Sequence, residues 1–138
     1  NTPPLGASLH AAWQSSTDLA NLMTEHNMIK RISLLTRSED LSHDEFVRHW
    51  LEIHGPLARA VPGIRRYVQS HIQGETTRAD IPAPDDMQID GIAELWYDSV
   101  EAMEQSSATA EAQALYADGA LIIGKIKSYV IEEKVIIE

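Results

Sequence analysis

The spacing of apolar and polar positions divides residues 29–138 into four short extended runs and two helical ones. Residues 29–36 place Ile32 and Leu34 against Arg31, Ser33 and Leu35, the period-two pattern of a first strand. Ser42, followed three residues later by Glu45, forms a capping box, so a helix is predicted to open there. At about 100° per residue, Phe46, Trp50, Ile53 and Leu57 fall within roughly 60° of one another, and His54 lies about 40° beyond Trp50, on the edge of the apolar stripe. Pro56 has no N–H and crowds the carbonyl of Glu52. The helix should therefore kink or restart near Gly55, leaving freed carbonyls beside an imidazole.

Pro62-Gly63 ends this region as a turn. Residues 64–73 then read as a second strand with Tyr67, Gln69 and His71 on one face and Val68, Ser70 and Ile72 on the other. Residues 74–86, with Pro82 and Pro84, form a long loop able to cover a pocket. Residues 89–97 give a third strand, with Ile92, Glu94 and Trp96 opposite Gly91, Ala93, Leu95 and Tyr97. Asp98 and Glu101 mark a second helix start; the helix is expected to reach about residue 116, with a break near 106–109. Residues 127–137 supply a fourth strand and an apolar tail. The order β-α-β-β-α-β is a split βαβ arrangement: an α+β fold with a four-stranded antiparallel sheet and both helices on one face. The other face then needs a cover, which predicts a homodimer packed through the sheet.

Residues 1–27 are a polar prefix with one weakly amphipathic piece containing Trp13, Leu19 and Leu22. The expectation is an added leader ahead of a natural start at Met28, the alternative being a genuine extension that covers a neighbouring subunit. The domain proper is residues 28–138, and His10 and His26 receive no role.

Composition narrows the chemistry. The 138 residues suit one domain, and the absence of cysteine removes disulfides, thiolate metal sites and thiol nucleophiles together. No run approaches a membrane span and no basic-then-apolar leader opens the chain, so a cytoplasmic protein with no membrane partner is expected. A formal charge of -10 argues against a nucleic-acid partner. His49 and His54 are five residues apart, not the four that stack zinc ligands on one helical face, so no metal is expected. The chain has no glycine-rich phosphate loop, nucleophile elbow or dinucleotide fingerprint, and no cofactor is predicted.

The candidate groups remain. His54 is either an acid or base beside the loosened turn or a structural anchor for a freed carbonyl. Glu94, a carboxylate in an apolar strand, needs a partner, and His54, His71 or Arg31 could supply one; paired with His54 it would move a proton along a substrate. Tyr67 and His71 share a strand face, with Tyr67 able to donate to a carbonyl or enolate oxygen, unless that face meets the partner subunit. Trp50 and Trp96 are core residues or walls of a substrate cavity. His43 and His49 read as solvated or half-packed.

The blocks Phe46-x-x-x-Trp50-x-x-x-His54-x-Pro56-Leu57, Pro62-Gly63-x-x-x-Tyr67 and Asp90-Gly91-x-Ala93-Glu94-x-Trp96-Tyr97 resemble the EthD family, over roughly residues 28–138. The resemblance implies a ferredoxin-like fold, a dimeric α+β barrel and a helix histidine, here His54, lining the cleft between helix and sheet. It also implies a range of activities, including cofactor-independent isomerases, cyclases and decarboxylases. The expected function is cofactor-independent proton transfer (isomerisation, cyclisation or decarboxylation) on a small apolar carbonyl or lactone compound. Alternatives are a non-catalytic protein that binds a hydrophobic ligand or assists a degradation pathway, and a haem-linked barrel with His54 or His71 as axial ligand.

Overall fold

A computed structural model describes residues 28–84 and 87–138. The leader expectation concerns residues that lie outside this range. Strand β1 (Ile29–Arg37) leads to helix α1 (His43–His49), a π-helical turn (Trp50–His54) and helix α2 (Gly55–Arg59). Strands β2 (Arg66–His71) and β3 (Gly91–Tyr97) follow, then helices α3 (Val100–Ser107) and α4 (Ala110–Ile122) and strand β4 (Ile123–Ile131). The sheet order is β2-β3-β1-β4 with every neighbouring pair antiparallel, the split βαβ sheet expected from the element order and the ferredoxin-like fold that the family resemblance implies. Among the described residues, no helix is long and apolar enough to cross a membrane.

The capping box forms as predicted: Ser42 accepts from the Glu45 amide at 3.1 Å and the Glu45 carboxylate accepts from the Ser42 amide at 2.8 Å. Beyond it, Pro56 is accommodated by a wider turn. The Gly55 amide reaches back five residues to the Trp50 carbonyl, which also accepts from the Gln69 side chain at 2.7 Å. Each residue of a π turn advances less around the axis than in an α-helix, so the pattern lags. Ile53, expected in the buried stripe, is 49% exposed, and His54, expected on its edge, is only 9% exposed. Gln69 thus gives the Trp50 carbonyl a second donor from the sheet.

Three boundaries differ from expectation for local reasons. Asp98 is held by Arg65 at 3.1 Å, so Ser99 caps α3 instead, accepting from Ala102 at 3.0 Å. Thr109 caps α4 after the predicted break, and the helix runs six residues past 116, with Gly119 inside it. Strand β4 starts at Ile123, directly after α4, and residues 132–138 carry no strand.

Register fixes what shares a face. On the helix side, Tyr67, Leu95, Arg31 and Val130 form one cross-strand row, Gln69, Ala93, Ser33 and Ser128 the next, and His71, Gly91, Leu35 and Ile126 a third. Leu35, Phe46, Trp50, Ala93, Leu95, Tyr97 and Ile122 make the main core under the helices. Trp50, fully buried, stacks between Phe46 (5.5 Å) and His71 (4.7 Å) and lies flat over Gly91. A Cβ at Gly91 would stand 2.6 Å from Trp50 Cζ3, so the strand must leave that position bare.

Gly91→Ala is therefore expected to destabilise the fold by about 1–3 kcal/mol, as overpacking does. Gly74→Ala, where a Cβ meets nothing within 4 Å, should change little. Equal denaturation midpoints for the two variants would contradict the Trp50 seating.

Candidate active site

A cavity of about 410 Å³ opens between the helices and the sheet. Its floor comes from β1 and β3, Tyr67 closes the β2 side, α4 and Trp50 form the roof, and Ile126 and Ser128 line the β4 side. Most of the wall is apolar, so the few polar groups define what can happen there.

His54 lines this cavity, and its Nδ1 lies 2.9 Å from Asp118 Oδ2. The other carboxylate oxygen, Oδ1, is 2.8 Å from His49 Nε2. Burial alone would raise the Asp118 pKa, but the hydrogen bonds from His49 and His54 and their positive charge outweigh it and hold the carboxyl below its usual range. Asp118 is thus ionised at neutral pH and can only accept, so both facing ring nitrogens carry the protons. Whenever the His54 ring is neutral, Nε2 is therefore its bare nitrogen. No described residue hydrogen-bonds this atom, and the residue that carries it lines the cavity. Gly119 of α4 lies beside the ring: a Cβ there would meet His54 Cε1 at 3.4 Å, an ordinary contact distance.

Tyr67 faces the same cavity from β2. Its hydroxyl oxygen accepts from Gln69 Nε2 at 2.9 Å, which leaves the O–H hydrogen available to a ligand. Burial pushes the Tyr67 pKa up, against the opposing pull of Gln69 and the nearby Trp50 indole, so the phenol stays protonated. The Trp50 indole N–H itself is buried with no hydrogen-bond partner of ordinary geometry among the described residues.

The remaining expected residues divide by sheet face. Glu94 does not meet His54. It pairs with Ile32 and Val68 on the outer face, where its carboxylate binds Lys30 Nζ at 2.6 Å. Lys30 also binds Glu133 at 2.9 Å. Trp96 is on that outer face as well: its indole donates to Glu133 at 2.8 Å, and Lys30 and Arg66 lie 5.0 and 4.9 Å from its ring. Strand alternation puts both residues opposite the cavity, so neither lines it. Arg31, offered as a partner for Glu94, points to the cavity side. His71 is on the helix side but is spent on packing, stacked on Trp50 with Nε2 2.9 Å from Gln69 Oε1. Trp50 is both core and roof.

Asp118 was not singled out by sequence, Gln69 was placed on its strand face without a role, and His49 was set aside as solvated or half-packed. A signal for Asp118 exists: it is the only charged residue between Glu111 and Lys125, in an otherwise largely apolar helix. The reasoning that demanded a partner for Glu94 applies to it equally.

Comparison with known proteins bears on this site. A family profile described as the EthD domain matches residues 38–125. The chain is 30% identical over 108 residues to a 4-carboxymethyl-4-methylbutenolide mutase of Pseudomonas reinekei, covering 78% of this chain and all of that protein. It is similar to the crystal structure of an ethyl tert-butyl ether D (EthD) family protein from Bacillus halodurans C-125, with a TM-score of 0.62, 28% identity, and 78% and 99% of the two chains covered. A dimeric ferredoxin-like protein of unknown function from Thermobifida fusca YX shares the fold, with a TM-score of 0.58 and 14% identity over 75% and 89% of the chains.

The Asp118 clamp has a pH signature. Its folded pKa is depressed, so the stability it contributes is present above the ordinary aspartate value of about 3.9 and is lost as pH falls through the lower folded value. Asp118→Asn should lose about 1–3 kcal/mol at neutral pH and show a shallower acid limb in chemical denaturation followed against pH. An unchanged acid limb would mean that the carboxylate is not held as described.

Proposed function

Because the chain belongs to the EthD family, we propose that it is a small-molecule isomerase acting on a compact unsaturated lactone by proton transfer, with no cofactor. The observation that carries this reading is the His54 imidazole, fixed through Nδ1 by an ionised Asp118 on the wall of an apolar cavity. The mutase name of the Pseudomonas reinekei relative supports the reaction class.

In this reading His54 Nε2 takes a proton from a carbon activated by the lactone carbonyl. The C–H electron pair moves toward the carbonyl oxygen as an enolate, and the Tyr67 O–H, protonated and free to donate, binds that oxygen. Asp118 stabilises the imidazolium that forms, as a carboxylate behind a catalytic histidine does. Returning the proton to another carbon restores the carbonyl and completes an isomerisation without any net redox change. His49 holds the far oxygen of Asp118 and so positions the carboxylate.

The experiment is to incubate the protein with butenolides that carry a hydrogen at C4, 4-carboxymethylbutenolide among them, in deuterium oxide and follow them by NMR. Isomerised product and solvent deuterium in the lactone are expected, and His54→Ala should slow turnover by about 10²–10⁴ with the fold retained. If the wild-type protein neither isomerises nor exchanges any of these lactones, the reading is wrong.

The same proposal includes a homodimer packed through the outer sheet face. That face carries Ile32, Leu34, Ile92 and the 47% exposed Tyr129, and the nearby chain end leaves Ile136 and Ile137 almost fully exposed. Light scattering at micromolar concentration should give twice the chain mass of 15.3 kDa, and a monomeric mass would remove this part of the proposal.

A further inference from the structure

Arg31 is the only lysine or arginine lining the cavity among the described residues, and no aspartate or glutamate lines it. Its Nη2 donates to the Tyr97 hydroxyl at 3.0 Å, and its guanidinium lies 5.6 Å from the Tyr97 ring. No carboxylate of the described residues pairs with it; Arg48, Arg59, Arg66, Lys125 and Lys127 also lack one among the described residues, but none of them lines this cavity. Tyr97 cannot serve as the counter-charge: burial pushes its pKa up, against the pull of Arg31, and the phenol stays neutral. Four of the five guanidinium N–H donors thus have no acceptor among the described residues, at the wall of an apolar space where an unpaired cation is costly.

The neighbours fit the same task. Ser33 and Ser128, next along the strands, share one hydrogen bond at 2.7 Å, so of their two hydroxyl hydrogens one is left over. Arg31 and Tyr67 lie in one cross-strand row with Leu95 between them. At about 4.8 Å per strand their Cα atoms stand roughly 10 Å apart, on opposite sides of the space below His54. A chain of formal charge -10 would repel anions in general, which makes a locally cationic cavity a selective feature.

We propose that Arg31 is the specificity-determining residue of the cavity: it binds the carboxylate of an anionic substrate, with Ser33 and Ser128 as auxiliary donors, so that the uncharged reactive end reaches Tyr67 and His54. This deepens the lactone-isomerase reading and rests on it for the identity of the reactive end. The substrate class is a small monocarboxylate carrying an unsaturated lactone. The guanidinium forms charge-assisted bonds to the carboxylate oxygens, a geometry that lysine reproduces only in part.

The test compares 4-carboxymethylbutenolide with its methyl ester, using isothermal titration calorimetry for binding and NMR for turnover. Wild-type protein should bind the acid at least about tenfold tighter than the ester, and the preference should shrink as salt is raised. Arg31→Met should bind both compounds as the wild type binds the ester, raising KM for the acid more than it lowers kcat, and Arg31→Lys should recover part of the preference. Equal affinity of the wild type for acid and ester, or no measurable binding of the acid, overturns the proposal without recourse to any variant. So does an Arg31→Met protein of native circular dichroism that keeps the full acid preference. An acid preference that vanishes in Arg31→Met while no lactone is turned over would uphold the anchor and remove the isomerase reading; turnover of acid and ester alike would do the reverse.

Discussion

A single carboxylate joins the two helical segments that roof the cavity. Asp118 comes from α4, and the imidazoles it holds come from the end of α1 and the end of the π turn. Each of these polar groups would be costly to bury alone, and each is satisfied only when both segments sit in one relative position. Packing alone would tolerate small rotations of α4, since small residues such as Ala112 and Gly119 line its inner side. Hydrogen bonds to two fixed rings do not. The same contact that sets the helix position also sets the His54 tautomer, so fold geometry and site chemistry share one constraint.

The π turn explains why that constraint can be met. His54 would project to the margin of the apolar stripe in an unbroken α-helix, and the extra residue per turn brings it beneath α4 while moving Ile53 out to solvent. The departure traces to Pro56, whose missing N–H prevents regular continuation, and is supported by Gln69, which gives the Trp50 carbonyl of the wider turn a second donor. A local defect in the backbone ladder is thus supported from the sheet below it.

The sheet was legible in the sequence because its information is local and binary. Alternation assigned Tyr67, Gln69 and His71 to one face and Ile92, Glu94 and Trp96 to the opposite face of their own strand. What alternation does not encode is which face meets the helices, and the pairing of Glu94 with His54 failed there: Lys30, adjacent in the sheet, is the partner. The histidine itself was visible from its spacing, whereas Asp118 was masked by its place in a helix whose end was set too early, near residue 116, because Gly119 reads as punctuation. Here the glycine sits mid-helix, beside the imidazole. The two faces also differ in how charge is balanced. The outer face neutralises Lys30 with two carboxylates, while the inner face leaves Arg31 with a phenol alone.

Helix α4 passes into β4 without an intervening loop: Ile122 is the last helical residue and Ile123 the first of the strand. There is no slack at this junction. An inserted or deleted residue would invert every side chain of β4 relative to the sheet and also turn Asp118 away from the histidines or pull the strand from β1. This wall of the cavity cannot change in length over evolutionary time without dismantling the proton-handling group beside it. Divergence toward new ligands is therefore confined to exchanging side chains in place, with Ile126 and Ser128 the positions that face the cavity from an exposed edge strand and carry no part of the main core.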